Sequence, residues 1–181
     1  MHTQRATAST IQTPFGTMLA VAINNALAAL RFAEHHDPPT DLNNLANQLA
    51  VARIDPATHP IHDAARDDIN RYADDPNAQP HTPLAPVGTP FQRAAWDALR
   101  AIPPGQTRSY AEQAAAMRRP NAARAVGRAN AANPIAILIP CHRVIGSAGD
   151  LTGYAAGLQR KRRLLDHELT ARTLFAHAAP R

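Results

Sequence analysis

The 181-residue chain predicts an α+β fold in two parts: a small N-terminal α/β domain over residues 1–87 and a helix-turn-helix domain over residues 88–181. Three observations predict it. Two apolar runs, Thr17–Ile23 and Ala26–Phe32, flank the turn dipeptide Asn24-Asn25 and read as paired strands. The stretch 74–90 holds five prolines, at 76, 80, 83, 86 and 90, and is a stiff connector rather than a helix. Beyond it, two short helical runs follow one another across a turn of three or four residues, the helix-turn-helix spacing.

In the N-terminal part, Pro38-Pro39 marks a loop over His35–Thr40, and Asp41 caps a run with Leu42, Leu45 and Leu49 at helical spacing. His62–Tyr72 is a second helix, with Ala65 and Ile69 on one face. The C-terminal part is punctuated more clearly. Thr89-Pro90-Phe91-Gln92 places an N-cap Thr, a first-turn Pro and a third-position Gln, a capping box. Phe91, Ala95, Leu99 and Ile102 then share one face until Pro103-Pro104-Gly105. Ser109-Tyr110-Ala111-Glu112 is a second capping box and opens a helix to about Met117. After a turn at Arg118–Pro120, the Ala-rich run from Asn121 to about Ala132 is helical and stops at Asn133-Pro134. Ile135–Ile139 reads as a short buried strand closed by Pro140, Gly146–Gly157 as a loop, and Leu158 to about Leu169 as a final helix.

Composition narrows the function. Apolar residues are 45% and charged residues 18%, which excludes a solvated disordered chain. Aromatics are only 4%, so the core is built from aliphatic residues. A single Cys excludes an internal disulfide and a four-Cys zinc site, and fits a reducing compartment. No apolar run approaches a bilayer span, and the first residues contain no signal-peptide core, so a cytoplasmic, soluble protein is expected. The net charge of +5 is unevenly placed. Residues 1–87 carry five Arg against nine Asp/Glu, a net of −4, and residues 88–181 carry fourteen Lys/Arg against five Asp/Glu, a net of +9. Either the second half meets a polyanion, or Arg is simply the preferred surface cation.

The only thiol, Cys141, follows the predicted strand directly. An inert, buried thiol is one reading. The other is a nucleophile, with His142 as base and Arg143 adding positive charge that lowers the thiol pKa. Neighbours on a strand face opposite ways, so the pair meets only if the chain turns after Pro140 or a water bridges them. Glu168 in the last helix is a candidate to orient the imidazole.

Pro140-Cys141-His142-Arg143-Val144 resembles the active-site signature of the O6-alkylguanine-DNA alkyltransferases, the methylated-DNA–protein-cysteine methyltransferases. The resemblance runs over about 88–169 and includes Arg108-Ser109-Tyr110, Ala122-Ala123-Arg124-Ala125-Val126-Gly127, Asn133-Pro134, Gly153-Tyr154 and Glu168. Thr13-Pro14-Phe15-Gly16 resembles the family's first-strand motif. The Asp-rich second helix and Pro-rich connector are similar to the C-terminal domain of the Ada-type adaptive-response protein. The zinc-bound Cys cluster of that protein's other half has no counterpart in this sequence.

The resemblance implies a ribonuclease H-like antiparallel sheet, a winged helix-turn-helix-like domain, and stoichiometric, irreversible transfer of an alkyl group from O6-alkylguanine, or O4-methylthymine, to Cys141. His142 is then the base, acting through a water, and Glu168 holds its tautomer. Tyr110 presses on the flipped nucleotide and hydrogen-bonds the departing guanine. Arg124 fills the gap in the base stack, and Asn133 ties the two motifs together. Ala123, Gly127, Arg128 and Arg143 join Tyr110 and Arg124 at the DNA, where Arg128 adds a phosphate contact, a solvated side chain being its other reading. Gly153, Tyr154 and Ala155 form the lid, Ala155 standing where many relatives have a hydroxyl residue. The expected partner is double-stranded DNA bearing the lesion, met by a monomer, with no membrane and no cofactor. His35, His36, His59, His62 and His81 lie in the acidic half, which lacks Cys; they are expected on the surface, binding no metal. Two alternatives remain: a lesion-binding protein without transfer, and a helix-turn-helix regulator with an incidental Cys.

Overall fold

The computed structural model describes residues 5–33 and 42–178. The expected loop at His35–Thr40 and the cap at Asp41 lie outside the described residues. The chain forms two compact units. One comprises residues up to Arg71 with Gln79–Val87 and Pro134–Ala136, and the other comprises Tyr72–Ala78, Gly88–Asn133 and Ile137 onward.

The first unit is a four-stranded sheet carrying helices. Strands β1 (Ala6–Thr13), β2 (Gly16–Ile23) and β3 (Ala26–Phe32) are antiparallel, and β4 (Ile54–Pro56) pairs in parallel with β1, giving the order β3-β2-β1-β4. The Asn24-Asn25 turn is present, with Asn24 at φ 53°, a conformation Asn accepts more readily than most residues. Thr13–Gly16 closes the hairpin between β1 and β2, with Thr13 ending the first strand and Gly16 opening the second. Thr13 Oγ1 donates to Gly16 O at 2.6 Å, and Gly16 takes φ 123°. β1 escaped the sequence reading because its alternation is Ala against Thr and Ser, a weak apolar contrast. β4 is three residues long and ends in Pro.

Helix α1 (Leu42–Gln48) lays Leu45, Ala46 and Leu49 against Ala8, Val21, Ala28 and Ile54. Helix α2 (Pro60–Asp74) buries Ala65 and Ile69, as their spacing predicts. His62 is buried rather than on the surface. Its Nδ1 accepts from Ser9 Oγ at 2.8 Å and its Nε2 donates to Thr7 O at 3.2 Å, so it is a satisfied core histidine whose pKa burial pushes down. The Pro-rich stretch is held along this unit by buried Asp68, which accepts from His81 N at 3.0 Å and Thr82 N at 2.8 Å and also pairs with Arg71.

The second unit is helical. Both capping boxes form: Thr89 caps α3 (Pro90–Arg100) with Gln92, and Ser109 caps α4 (Tyr110–Ala116) with Glu112. A 3₁₀ turn, Pro120–Ala122, leads into α5 (Ala123–Ala131). Buried amides lock the three helices together. Gln113 Nε2 donates to Ala95 O at 2.9 Å, and Asn130 Nδ2 donates to Gln113 Oε1 at 2.7 Å. Trp96 Nε1 donates to Ala129 O at 2.8 Å. The final helix, α6, runs over Leu158–Ala178, and two-residue strands β5 (Arg108–Ser109) and β6 (Val144–Ile145) pair in parallel. No helix among the described residues is long and apolar enough to cross a membrane.

Ile135–Ile139 is not a strand. Pro134–Ala136 makes a single bridge with Leu30, and then Ile137 takes φ 69° and reverses the chain. A β-branched residue in the left-handed region is strained by about 1–3 kcal/mol. Burial of Ile137, Leu138 and Ile139 offsets that strain.

Gly88 precedes the first capping box, and a Cβ there would lie 2.5 Å from Trp96 Cη2. Since Trp96 is fixed by burial and by its indole hydrogen bond, Gly88→Ala is expected to destabilise the protein by about 1–3 kcal/mol. Urea unfolding followed by Trp fluorescence measures this.

Candidate active site

The chain reversal at Ile137 and the 3₁₀ turn Cys141–Arg143 position the site. Pro140, at φ −83° and ψ 64°, supplies the bend on which a Cys–His encounter depends. Asn133 closes the loop from its other end: Nδ2 donates to Ile139 O at 2.8 Å and to Cys141 Sγ at 3.2 Å. The thiol is half-buried. Burial pushes its pKa up, against the opposing pull of the Asn133 hydrogen bond and the Lys161 charge. The expected depression of the thiol pKa by His142 and Arg143 is therefore not seen.

Arg143 is buried, and its guanidinium is spent inside the protein. Nε donates to Glu168 Oε1 and Oε2 at 3.0 and 3.1 Å, and Nη1 donates to Ile102 O at 2.6 Å. It is a structural cation beneath the loop rather than a residue at a DNA surface.

Glu168, expected as the orienter, is the hub. Its carboxylate accepts from His142 Nε2 at 2.8 Å, from Tyr72 Oη at 2.7 Å, from Gly105 N at 3.0 Å and from Arg143. Burial opposes its ionisation, but the hydrogen bonds from His142 and Arg143, with the Arg143 charge, outweigh that and pull its pKa down to about 2. An ionised carboxylate only accepts, so Nε2 carries the imidazole proton and Nδ1 presents the lone pair. Nδ1 is buried and hydrogen-bonds to no protein atom among the described residues. Burial holds the His142 pKa down, so the ring is neutral at neutral pH and able to accept a proton.

The sequence reading missed two members. Tyr72 gives its hydroxyl to Glu168. Lys161 is wholly buried, with Nζ donating to Val144 O at 2.5 Å and Thr152 O at 2.6 Å, and its charge favours the Cys141 thiolate. One signal was available: Lys161 is the single Lys among nineteen Lys/Arg.

The Gly-rich loop lies against Tyr110 at the start of α4. Tyr110 Oη donates to Thr152 O at 3.2 Å, a Cβ on Gly153 would come within 3.1 Å of that hydroxyl, and a Cβ on Gly127 would touch the Tyr110 ring at 3.7 Å. The Tyr154 hydroxyl is buried with no protein partner among the described residues, whereas Gly153 and Ala155 are exposed. On α5, Ala123 and Gly127 are half-buried. Arg124 and Arg128 are exposed, and no ion pair holds either among the described residues. Between Glu112 and Asp150 the chain carries five Arg and no carboxylate. Among the described residues no group of three His, Cys, Asp or Glu side chains is placed to hold a metal ion.

Replacing Glu168 by Gln removes the anion under Arg143 and His142, and an uncompensated buried charge costs about 3–5 kcal/mol. The pH dependence is also expected to change. A carboxyl lowered from 4.5 to about 2 binds fewer protons folded than unfolded. Its contribution, about 3 kcal/mol, is full above pH 4.5 and lost as pH falls toward 2. Denaturant titrations across this range are expected to show the loss in the wild type and not in Glu168→Gln.

Known proteins are similar to this chain in sequence and in fold. A family model described as "6-O-methylguanine DNA methyltransferase, DNA binding domain" matches residues 90–170. The methylated-DNA–protein-cysteine methyltransferase of Salmonella typhimurium is 67% identical over 81 residues, 45% of this chain and 47% of that protein; the match thus spans about half the length of that relative. The protein of that name in Mycobacterium tuberculosis is 43% identical over 147 residues, 81% of this chain and 89% of its own. The crystal structure of the M. tuberculosis O6-methylguanine methyltransferase superposes with a TM-score of 0.75 at 39% identity, covering 94% of this chain and 99% of that one. A structure of the M. tuberculosis protein in complex with DNA gives 0.74 at 38% identity, with the same coverage. The chain belongs to the methylated-DNA–protein-cysteine methyltransferase family.

Proposed function

We propose that the protein repairs alkylated DNA by moving the alkyl group of O6-alkylguanine, or more slowly of O4-methylthymine, onto Cys141, once per molecule. The observation that carries this reading is the Cys141 thiol against Asn133 Nδ2, next in chain to an imidazole whose protonated nitrogen is fixed by Glu168. A regulator has no use for a buried His–Glu pair beside its one thiol, and a lesion binder without transfer needs no thiol.

In this reading the target nucleotide leaves the stack, since the reacting carbon is out of reach inside a duplex. His142 Nδ1 takes the thiol proton through one water, and Asn133 and Lys161 favour the thiolate. Sulfur then forms a bond to the alkyl carbon as the carbon–O6 bond breaks, and the electron pair passes into the purine. The Tyr110 hydroxyl hydrogen-bonds the departing base, which leaves as neutral guanine once the proton is returned. The thioether has no leaving group that a reductant could release, so turnover stops. Tyr154 and Gly153 cover the alkyl group. Arg124, exposed on α5, occupies the vacated stack, where a planar cation also meets phosphate. The protein acts as a monomer in a reducing cytoplasm.

Single-turnover rates on two substrates test the assignment. Arg124→Ala is expected to slow repair of a methylated duplex by about a hundred-fold, the scale of the few kcal/mol of unstacking. Its reaction with free O6-benzylguanine, which needs no extrusion, should stay near wild type. Cys141→Ala is expected to transfer nothing from either substrate while still binding the duplex. Equal losses on both substrates for Arg124→Ala would remove that residue from the opened base pair, and transfer by Cys141→Ala would remove the thiol from the reaction.

A further inference from the structure

The turn between α4 and α5 contains an arginine in a backbone conformation that favours glycine. Arg118 has φ 57°. It follows the C-cap Met117, with its N–H donating to Ala115 O at 2.9 Å and that of Arg119 donating to Ala114 O at 2.9 Å. This is the paired-bond helix ending whose left-handed residue is ordinarily Gly, because a Cβ there is strained. The Arg118 side chain is exposed, and no hydrogen bond or ion pair holds its guanidinium among the described residues. Its neighbour Arg119 is restrained, with its guanidinium 5.7 Å from the centre of the Phe91 ring at the start of α3. Exposed Arg124 follows one short 3₁₀ turn later, and no carboxylate lies between Glu112 and Asp150. No hydrogen bond or ion pair of this turn among the described residues uses the charge at 118, and the backbone there is strained by any side chain larger than that of Gly.

We infer that Arg118 is a phosphate contact: the α4–α5 turn forms a second anchor on the DNA backbone, with Arg119 seated on Phe91 and Arg118 reaching outward. This extends the footprint beyond α5 and rests on the repair reading only in that the polyanion is duplex DNA. Phosphate contacts position a protein without reading sequence, so the anchor acts equally on damaged and undamaged duplex.

Arg118→Gly should raise the thermal midpoint, by about 2–4 °C for a chain of this size. It should also weaken binding to undamaged duplex roughly five-fold and lower the slope of log affinity against log salt by about 0.9. Arg118→Lys should keep affinity and slope. Ala50 provides the control, since it closes α1 in the same way, at φ 53°, exposed, with Ala50 N donating to Asn47 O and Val51 N to Ala46 O. Ala50→Gly should raise the midpoint similarly and leave DNA affinity alone. An Arg118→Gly protein with wild-type affinity and salt slope would overturn the anchor, as would Arg118→Lys losing as much affinity as Arg118→Gly. Wild-type protein with no salt-dependent affinity for duplex would instead overturn the repair reading itself.

Discussion

The buried carboxylate of Glu168 is the constraint on which the site depends. It gathers the last turn of α2 through Tyr72, the loop after α3 through Gly105, and the Cys141–Arg143 turn through His142 and Arg143. An isolated buried anion is costly. Here three side-chain partners and a backbone amide satisfy it, and the charge of one of them, Arg143, balances it. The charge cannot be neutralised without leaving Arg143 uncompensated, which keeps Glu168 ionised far below neutral pH. An acceptor that never donates dictates where the proton sits on His142. Fold stability and imidazole chemistry therefore share one group.

A second constraint is the path of the chain into the thiol. Ile137 at φ 69° is strained, and the strain persists because three consecutive aliphatic side chains are buried there and Asn133 bonds across the loop. The result is a thiol held on a tight turn rather than on a strand. Burial favours the protonated thiol there. Charge is sorted accordingly. Arg143 and Lys161 point inward on defined partners, while the cations of α5 and its preceding turn remain exposed.

Where local chemistry specifies structure, the sequence was a good guide. The capping boxes at Thr89 and Ser109, the Asn24-Asn25 hairpin and the apolar face of α3 all follow from side chains within a few residues of one another. What was not legible depends on distant partners. Nothing near Ile137 announces a positive φ, and its aliphatic run has the composition of a buried strand. Arg143 reads as one more cation of a basic half until Glu168, twenty-five residues away, claims its guanidinium. His62 reads as a surface histidine until Ser9 and Thr7 are brought to it by the β1–α2 packing. Tyr72 had no motif at all. The grouping of Cys141, His142 and Glu168 was legible because these residues carry distinctive chemistry at family spacings, and the scaffold beneath them was not, because any Tyr or Arg of suitable reach would have looked the same.

The protonation of His142 tests this account most directly. Heteronuclear NMR of the imidazole nitrogens distinguishes the two neutral tautomers. An ionised Glu168 bonded at Nε2 predicts that Nε2 carries the proton and Nδ1 does not, from neutral pH down to well below the ordinary imidazole range, with no titration near pH 6.5. A ring protonated at Nδ1, or one that charges near pH 6.5, would contradict it.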